Sequence, residues 1–79
     1  MENQDEQTVN PVRDLFKSYP ELNAAAVARR MGITQSLFAK YITGGKRPSP
    51  ERMAAIIGTV EALGREISQY CATLRNTTA

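Results

Sequence analysis

Residues 24–43 read AAAVARRMGITQSLFAKYIT. Alanine is the strongest helix former, and Asn23 stands ahead of the run as a cap. Small side chains at 24, 25, 26 and 28 let a second helix approach closely. Gly32 can take the left-handed conformation that closes a helix. Thr34 can cap the next segment, QSLFAKYI, in which Phe38, Tyr41 and Ile42 form one apolar side with Leu37 at its margin. Two short helices, 24–31 and 35–43, are therefore expected on either side of a glycine turn, the helix-turn-helix plan.

The flanks support that unit. Asn10-Pro11 combines an N-cap with proline at the first helical position, and Val12, Leu15, Phe16 and Tyr19 fall on one helix face until Pro20 stops it. After the second motif helix, Gly44-Gly45 and KRPSP (46–50) predict an extended exit, since a residue before proline avoids the α region. Ser49 caps and Pro50 starts a last long stretch.

In that stretch Met53, Ile57, Val60, Gly64, Ile67, Cys71 and Leu74 recur at alternating spacings of four and three, an a/d heptad row. Ile56, Leu63 and Tyr70 add a flanking row, so the stripe is wider than a bare coiled-coil seam. Residues 50–75 form one helix of roughly 39 Å or two that meet near Gly64, where glycine costs about 1 kcal/mol against alanine. Residues 53–60 are expected to serve the protomer's core. Leu63, Ile67, Tyr70, Cys71 and Leu74 are expected to face a second copy in a homodimer.

Length and composition set the outer limits. Seventy-nine residues make one domain with one small core, and five aromatic side chains leave that core mainly aliphatic. The organisation expected is a disordered acidic segment over 1–8, a helix-turn-helix domain over 9–63, and a helical extension over 64–79 whose last residues fray. The fold class is all-α, a compact bundle of four to five helices with a long C-terminal one. No apolar run approaches the ~20 residues of a membrane span, and the acidic start is unlike a signal peptide, so an intracellular, cytoplasmic location is expected.

Charge distribution carries more than the net value of +2. Six cations, Arg29, Arg30, Lys40, Lys46, Arg47 and Arg52, face one acid, Glu51, across the 29–52 window. The chain has no histidine and one cysteine, Cys71. It therefore lacks a histidine base, a usual zinc ligand set and a phosphate loop of GxxxxGK[ST] type. No catalytic residue, metal, cofactor or small-molecule ligand is expected, and an enzyme is not.

The stretch VARRMGITQSLFAKYITGGKRPSPERMAAI (27–56) also resembles a specific family. It is similar to the Cro/phage-repressor, or XRE-type, helix-turn-helix proteins, whose pattern is roughly LAxxxGVSQSxISxxExGxxxPSxxxLxxIA. The matching positions are Ala28, Gly32, Ile33, Thr34, Gln35, Ser36, Phe38, Gly44, Pro48 and Ser49, continuing through Met53 and Ile56. The resemblance spans residues 12–63 approximately and implies a lambda-repressor-like fold.

What the resemblance implies about function is sequence-specific binding of double-stranded DNA by a small bacterial or phage transcriptional regulator, repressor-like or antitoxin-like. The second motif helix would enter the major groove and present Gln35, Ser36, Leu37, Ala39 and Lys40 to bases. Glutamine suits adenine, lysine suits guanine, and Leu37 or Ala39 suits a thymine methyl. Arg30, Thr43, Gly45, Lys46 and Arg47 would meet phosphates. Three departures stand out: Ala24 where the family often has glutamine, Ile42 where it has an acid, and a net charge of +2 that is modest for a DNA binder. They are the basis of a competing expectation, a protein-interaction module that kept the fold without the DNA.

Overall fold

The computed structural model describes residues 9–78; the acidic segment over 1–8 lies outside them. Four helices make up the described chain: α1 (Pro11–Ser18), α2 (Ala24–Met31), α3 (Gln35–Thr43) and α4 (Pro50–Thr78). There is no strand among the described residues, so the all-α expectation holds with four helices. α2 is central, packing on both α3 and α4, while α1 packs on α3.

Side chains start the helices. Asn10, Asn23 and Thr34 each sit in extended backbone and accept a hydrogen bond from the backbone N–H three residues on, at Arg13, Ala26 and Leu37. Ser49 Oγ likewise accepts from the Arg52 N–H at 3.1 Å, ahead of Pro50. Each bond satisfies one of the four N–H groups that a helix start leaves without an intrahelical partner.

Glycines stop α2 and α3. Gly32 has φ 75°, its N–H donates to Arg29 O, and the Ile33 N–H donates to Ala28 O, both at 3.1 Å. This paired closure turns the chain sharply between α2 and α3. Gly44 has φ 91°, and the N–H groups of Gly44 and Lys46 both donate to Lys40 O, at 3.0 and 3.2 Å. The exit loop is thereby folded back over the last turn of α3.

The two neighbouring glycines are not equivalent. A Cβ on Gly44 would meet only Asn10 Nδ2 at 3.8 Å, an ordinary contact, so the requirement for glycine there is its left-handed backbone. A Cβ on Gly45 would meet Thr43 and Lys40 atoms at 3.7–3.9 Å, also without strain. Gly44→Ala should cost about 1–2 kcal/mol and Gly45→Ala a small fraction of that, as read from urea melts.

The core is one cluster with a contribution from every helix: Val12, Val27, Ala28, Phe38, Tyr41 and Ile56. Ala28 is fully buried, so α2 approaches its neighbours as closely as the small side chain allows. Phe38 stacks edge-on against Phe16 at 5.4 Å and Tyr41 at 6.2 Å between ring centroids. Tyr19 departs from the expected face. It lies beyond the end of α1 at φ −127°, ψ 78°, outside the helical region and 61% exposed, because the residue before Pro20 avoids the α conformation.

α4 settles two expectations. It is a single helix that passes through Gly64 without a break and stays helical to Thr78, beyond where fraying was expected. Its inward row also differs from the heptad row expected. Ile56 is buried, and Met53, Val60 and Leu63 are half-buried, whereas Ile57 is 48% exposed. The buried row therefore runs 53–56–60–63, with Ile56 in the place assigned to Ile57. The two isoleucines are adjacent and equally apolar, and only the position of α2 chooses between them.

Candidate nucleic-acid interface

α3 has a clean division between its sides. At about 100° per residue, Gln35, Ala39, Thr43, Ser36 and Lys40 occupy an arc of about 140°, and all five are exposed. Phe38 and Tyr41 are buried on the opposite side, with Leu37 and Ile42 half-buried against the same core. Leu37, expected among the base-contacting residues, is thus turned toward the core, and four of the five expected positions share the exposed arc. The hydrophobic cluster holds α3 by one side and offers the other to solvent.

The basic loop adjoins that arc. Lys46, Arg47 and Gly45 are exposed, and the Lys46 N–H bond to Lys40 O ties the loop to α3. That bond uses the Lys46 backbone donor, so the side-chain ammonium is what Lys46 can offer to an anion. Thr43 Oγ1 donates to the same carbonyl at 3.4 Å, a long bond with which a phosphate oxygen would compete. No Asp or Glu occurs between Glu21 and Glu51, so the whole surface formed by α2, α3 and the loop carries only positive formal charge.

One side chain fixes the end of α3 and had no visible role in the sequence beyond its cap. Asn10 is 9% exposed, and its Nδ2 donates to Tyr41 O at 3.0 Å and Ile42 O at 3.1 Å while its Oδ1 caps α1. The start of the described chain is thereby pinned against the last turn of α3, beside Thr43, Gly44 and Lys46 along an open groove. Tyr41 and Ile42 lie 31 and 32 residues away, a separation no local pattern reveals.

Arg30 has a different place from the one expected. Its guanidinium donates to Glu66 on α4, Nη2 to Oε1 at 2.7 Å and Nη1 to Oε2 at 3.1 Å. Arg30 is therefore paired across α2 and α4, and both it and the neighbouring Arg29 are exposed. The guanidinium holds the Glu66 carboxyl below the usual glutamate range, first through the hydrogen bonds and then through charge; the carboxylate raises Arg30 in turn.

The sign of the pH effect follows. A carboxyl depressed in the folded state contributes stability above its unfolded value and loses that contribution as pH falls through the lowered one. Glu66→Gln should lower the neutral-pH melt slightly, where the contribution is present, and converge on wild type in acid, the difference being small because both groups are solvent-exposed. Thermal melts across the acid range compare the two.

The α4 surface divides at about residue 63. Ile67, Tyr70 and Leu74 are 56%, 64% and 46% exposed, and Cys71 is exposed as well. Ile67, Tyr70 and Leu74 continue the buried 53–56–60–63 row at the same alternation of three and four, giving 53–56–60–63–67–70–74, with Cys71 beside it. The molecule measures 58 × 24 × 19 Å, and the far half of α4 extends the apolar row past the bundle that covers its near half. Leu63 sits at the transition, half-buried in the protomer. Among the described residues no helix is long and apolar enough to cross a membrane.

No family model, curated protein or solved structure matches this chain.

Proposed function

We propose that this chain binds double-stranded DNA sequence-specifically as a homodimer, acting as a small transcriptional regulator of the Cro/phage-repressor type. The observation that carries the reading is the exposed arc of α3. Gln35, Ser36, Ala39 and Lys40 lie together on one side of a helix whose other side is locked into the core, and a basic loop is bonded to its exit. A major groove about 12 Å wide admits such a helix, and the side chains on the arc suit base edges. Lys46 and Arg47, with Arg29 at the neighbouring helix, supply the phosphate-directed charge.

Nine residues of α3 can address only a few base pairs. Two copies related by a two-fold axis would address half-sites one DNA turn apart, and the exposed row 67–70–74 of α4 is the surface that would join them. The row is apolar, in phase with the buried row, and lies on the helix that packs against α2, which in turn packs on the reading helix.

Selection of bound duplexes from a random pool tests the reading. The expected product is a short inverted repeat with half-sites separated by about one turn of DNA, 10–10.5 base pairs from centre to centre. Recovery of no enriched sequence would overturn it.

A further inference from the structure

The open groove beside the α3 exit combines two chemistries. About 910 Å³ in volume, it has apolar walls from Val9, Pro11, Pro48 and Met53, with Lys46 and Arg47 at the exit loop. No aspartate or glutamate lines it. Val9 is the first described residue and is 67% exposed, so the chain over 1–8 meets the fold at the groove itself. That junction is held in place, because Asn10 Nδ2 donates to Tyr41 O and Ile42 O in the last turn of α3.

The chain that arrives there is charged in the opposite sense. Glu2, Asp5 and Glu6 are its acids, and no lysine or arginine occurs before Arg13. Among the described residues no carboxylate pairs with Lys46 or Arg47. Asp5 and Glu6 stand four and three residues ahead of Val9, and extended chain carries them up to about 14 and 11 Å from it. Those reaches are on the scale of the groove.

We infer that the acidic stretch over 1–8 docks in cis along this groove, with Asp5 and Glu6 against Lys46 and Arg47, and competes there with DNA phosphates. The docking stands on the groove and its charge, and the competition rests on the DNA-binding reading above. An exposed ion pair between separate molecules is weak. A stretch attached at the wall of the groove is presented at an effective concentration of about millimolar, so weak pairs suffice to seat it for much of the time. Occupancy of about three-quarters leaves one molecule in four open, and weakens the apparent affinity for a competing anion about fourfold.

Carbodiimide cross-linking of the full chain, read by mass spectrometry, tests the docking, since it joins a carboxylate to an amine only where the two touch. The lysines are Lys17, Lys40 and Lys46, all exposed. Cross-links from Asp5 and Glu6 should fall mainly on Lys46, although Lys17 is nearer in sequence. They should fade at about 1 M salt, where the screening length is about 3 Å. In a mixture of ¹⁵N-labelled and unlabelled chains, each cross-link should stay within one isotopic species. A saturating selected duplex should remove them. Glu2→Gln/Asp5→Asn/Glu6→Gln should raise duplex affinity about fourfold, and the gain should vanish in a Lys46→Gln/Arg47→Gln background. A diffuse charge effect would persist there.

Cross-links spread alike over Lys17, Lys40 and Lys46 overturn the docking. Cross-links between isotopic species give the groove to the acidic stretch of a second copy and overturn the cis form. A bound duplex that leaves the Lys46 cross-link in place overturns the competition, as does an affinity gain that survives without Lys46 and Arg47. Failure of every duplex to bind overturns the reading above and the competition with it, while the cross-links alone decide the docking.

Discussion

Asn10→Ala should lower the stability of the domain by about 3 kcal/mol, a fall in Tm of roughly 15 °C. The residue precedes the first helix, yet it is 9% exposed and makes three hydrogen bonds. Truncation removes the α1 cap, which alone is worth about 1 kcal/mol. It also strips Tyr41 O and Ile42 O of their Asn10 partner at the end of α3, and a buried carbonyl left without any donor costs about 1–3 kcal/mol. Asn10→Asp separates the two contributions. It keeps the acceptor for the Arg13 N–H, loses both donors, and sets a carboxylate beside two carbonyl oxygens. At neutral pH it should be at least as destabilising as the alanine variant. Acidification should recover part of the loss, because a protonated carboxyl donates one bond. Melts that match wild type in either variant would show that the pinning of α3 is not needed.

The second large effect concerns assembly. Ile67→Lys combined with Tyr70→Lys should yield a monomer with wild-type helix content and DNA affinity weaker by a hundredfold or more. Both side chains are more than half exposed in the protomer, so their replacement removes little from its core. Linking two modest half-site interactions raises overall affinity by 10²–10⁴, and a monomer forfeits that gain. Sedimentation gives the mass, circular dichroism the helix content and titration the affinity. A dimer that persists in the double variant would place the interface elsewhere.

Much of this architecture was legible in local residue patterns. Asn23, Thr34, Gly32 and Gly44 announce the starts and stops of α2 and α3 because capping and left-handed closure are short-range events. The all-helical class and the α2–turn–α3 order followed from those signals with the apolar spacing. Three features were hidden because they depend on where distant segments meet. The Asn10 amide reaches carbonyls 31 and 32 residues on. Arg30 is a strut because Glu66 lies opposite it, and a sequence cannot separate that from an exposed cation such as Arg29. The buried row of α4 uses Ile56 in place of Ile57 because α2 lies on that side.

The α3 surface was partly legible for the same reason. Gln35, Ser36, Ala39 and Lys40 fall on one arc by helical geometry alone, whereas the half-burial of Leu37 depends on the core it meets. A shallow apolar dent joins α2 and α3, so its existence follows from their packing and from no single segment. Ala24 and Ile42 stand out in the sequence as departures from a family pattern. In the fold they are two walls of one hollow.

If α3 and its basic exit loop hold duplex DNA, affinity must fall as salt rises. Fluorescence-polarisation titrations of a selected duplex across about 50–200 mM salt should show affinity falling linearly on logarithmic axes, as expected when lysine and arginine displace counterions from phosphates. Lys46→Ala and Arg47→Ala should each weaken binding to all duplexes alike and reduce the slope by about one. Absence of binding to any duplex at about 50 mM salt, or slopes identical in wild type and both variants, would contradict the account and leave this surface to a protein partner.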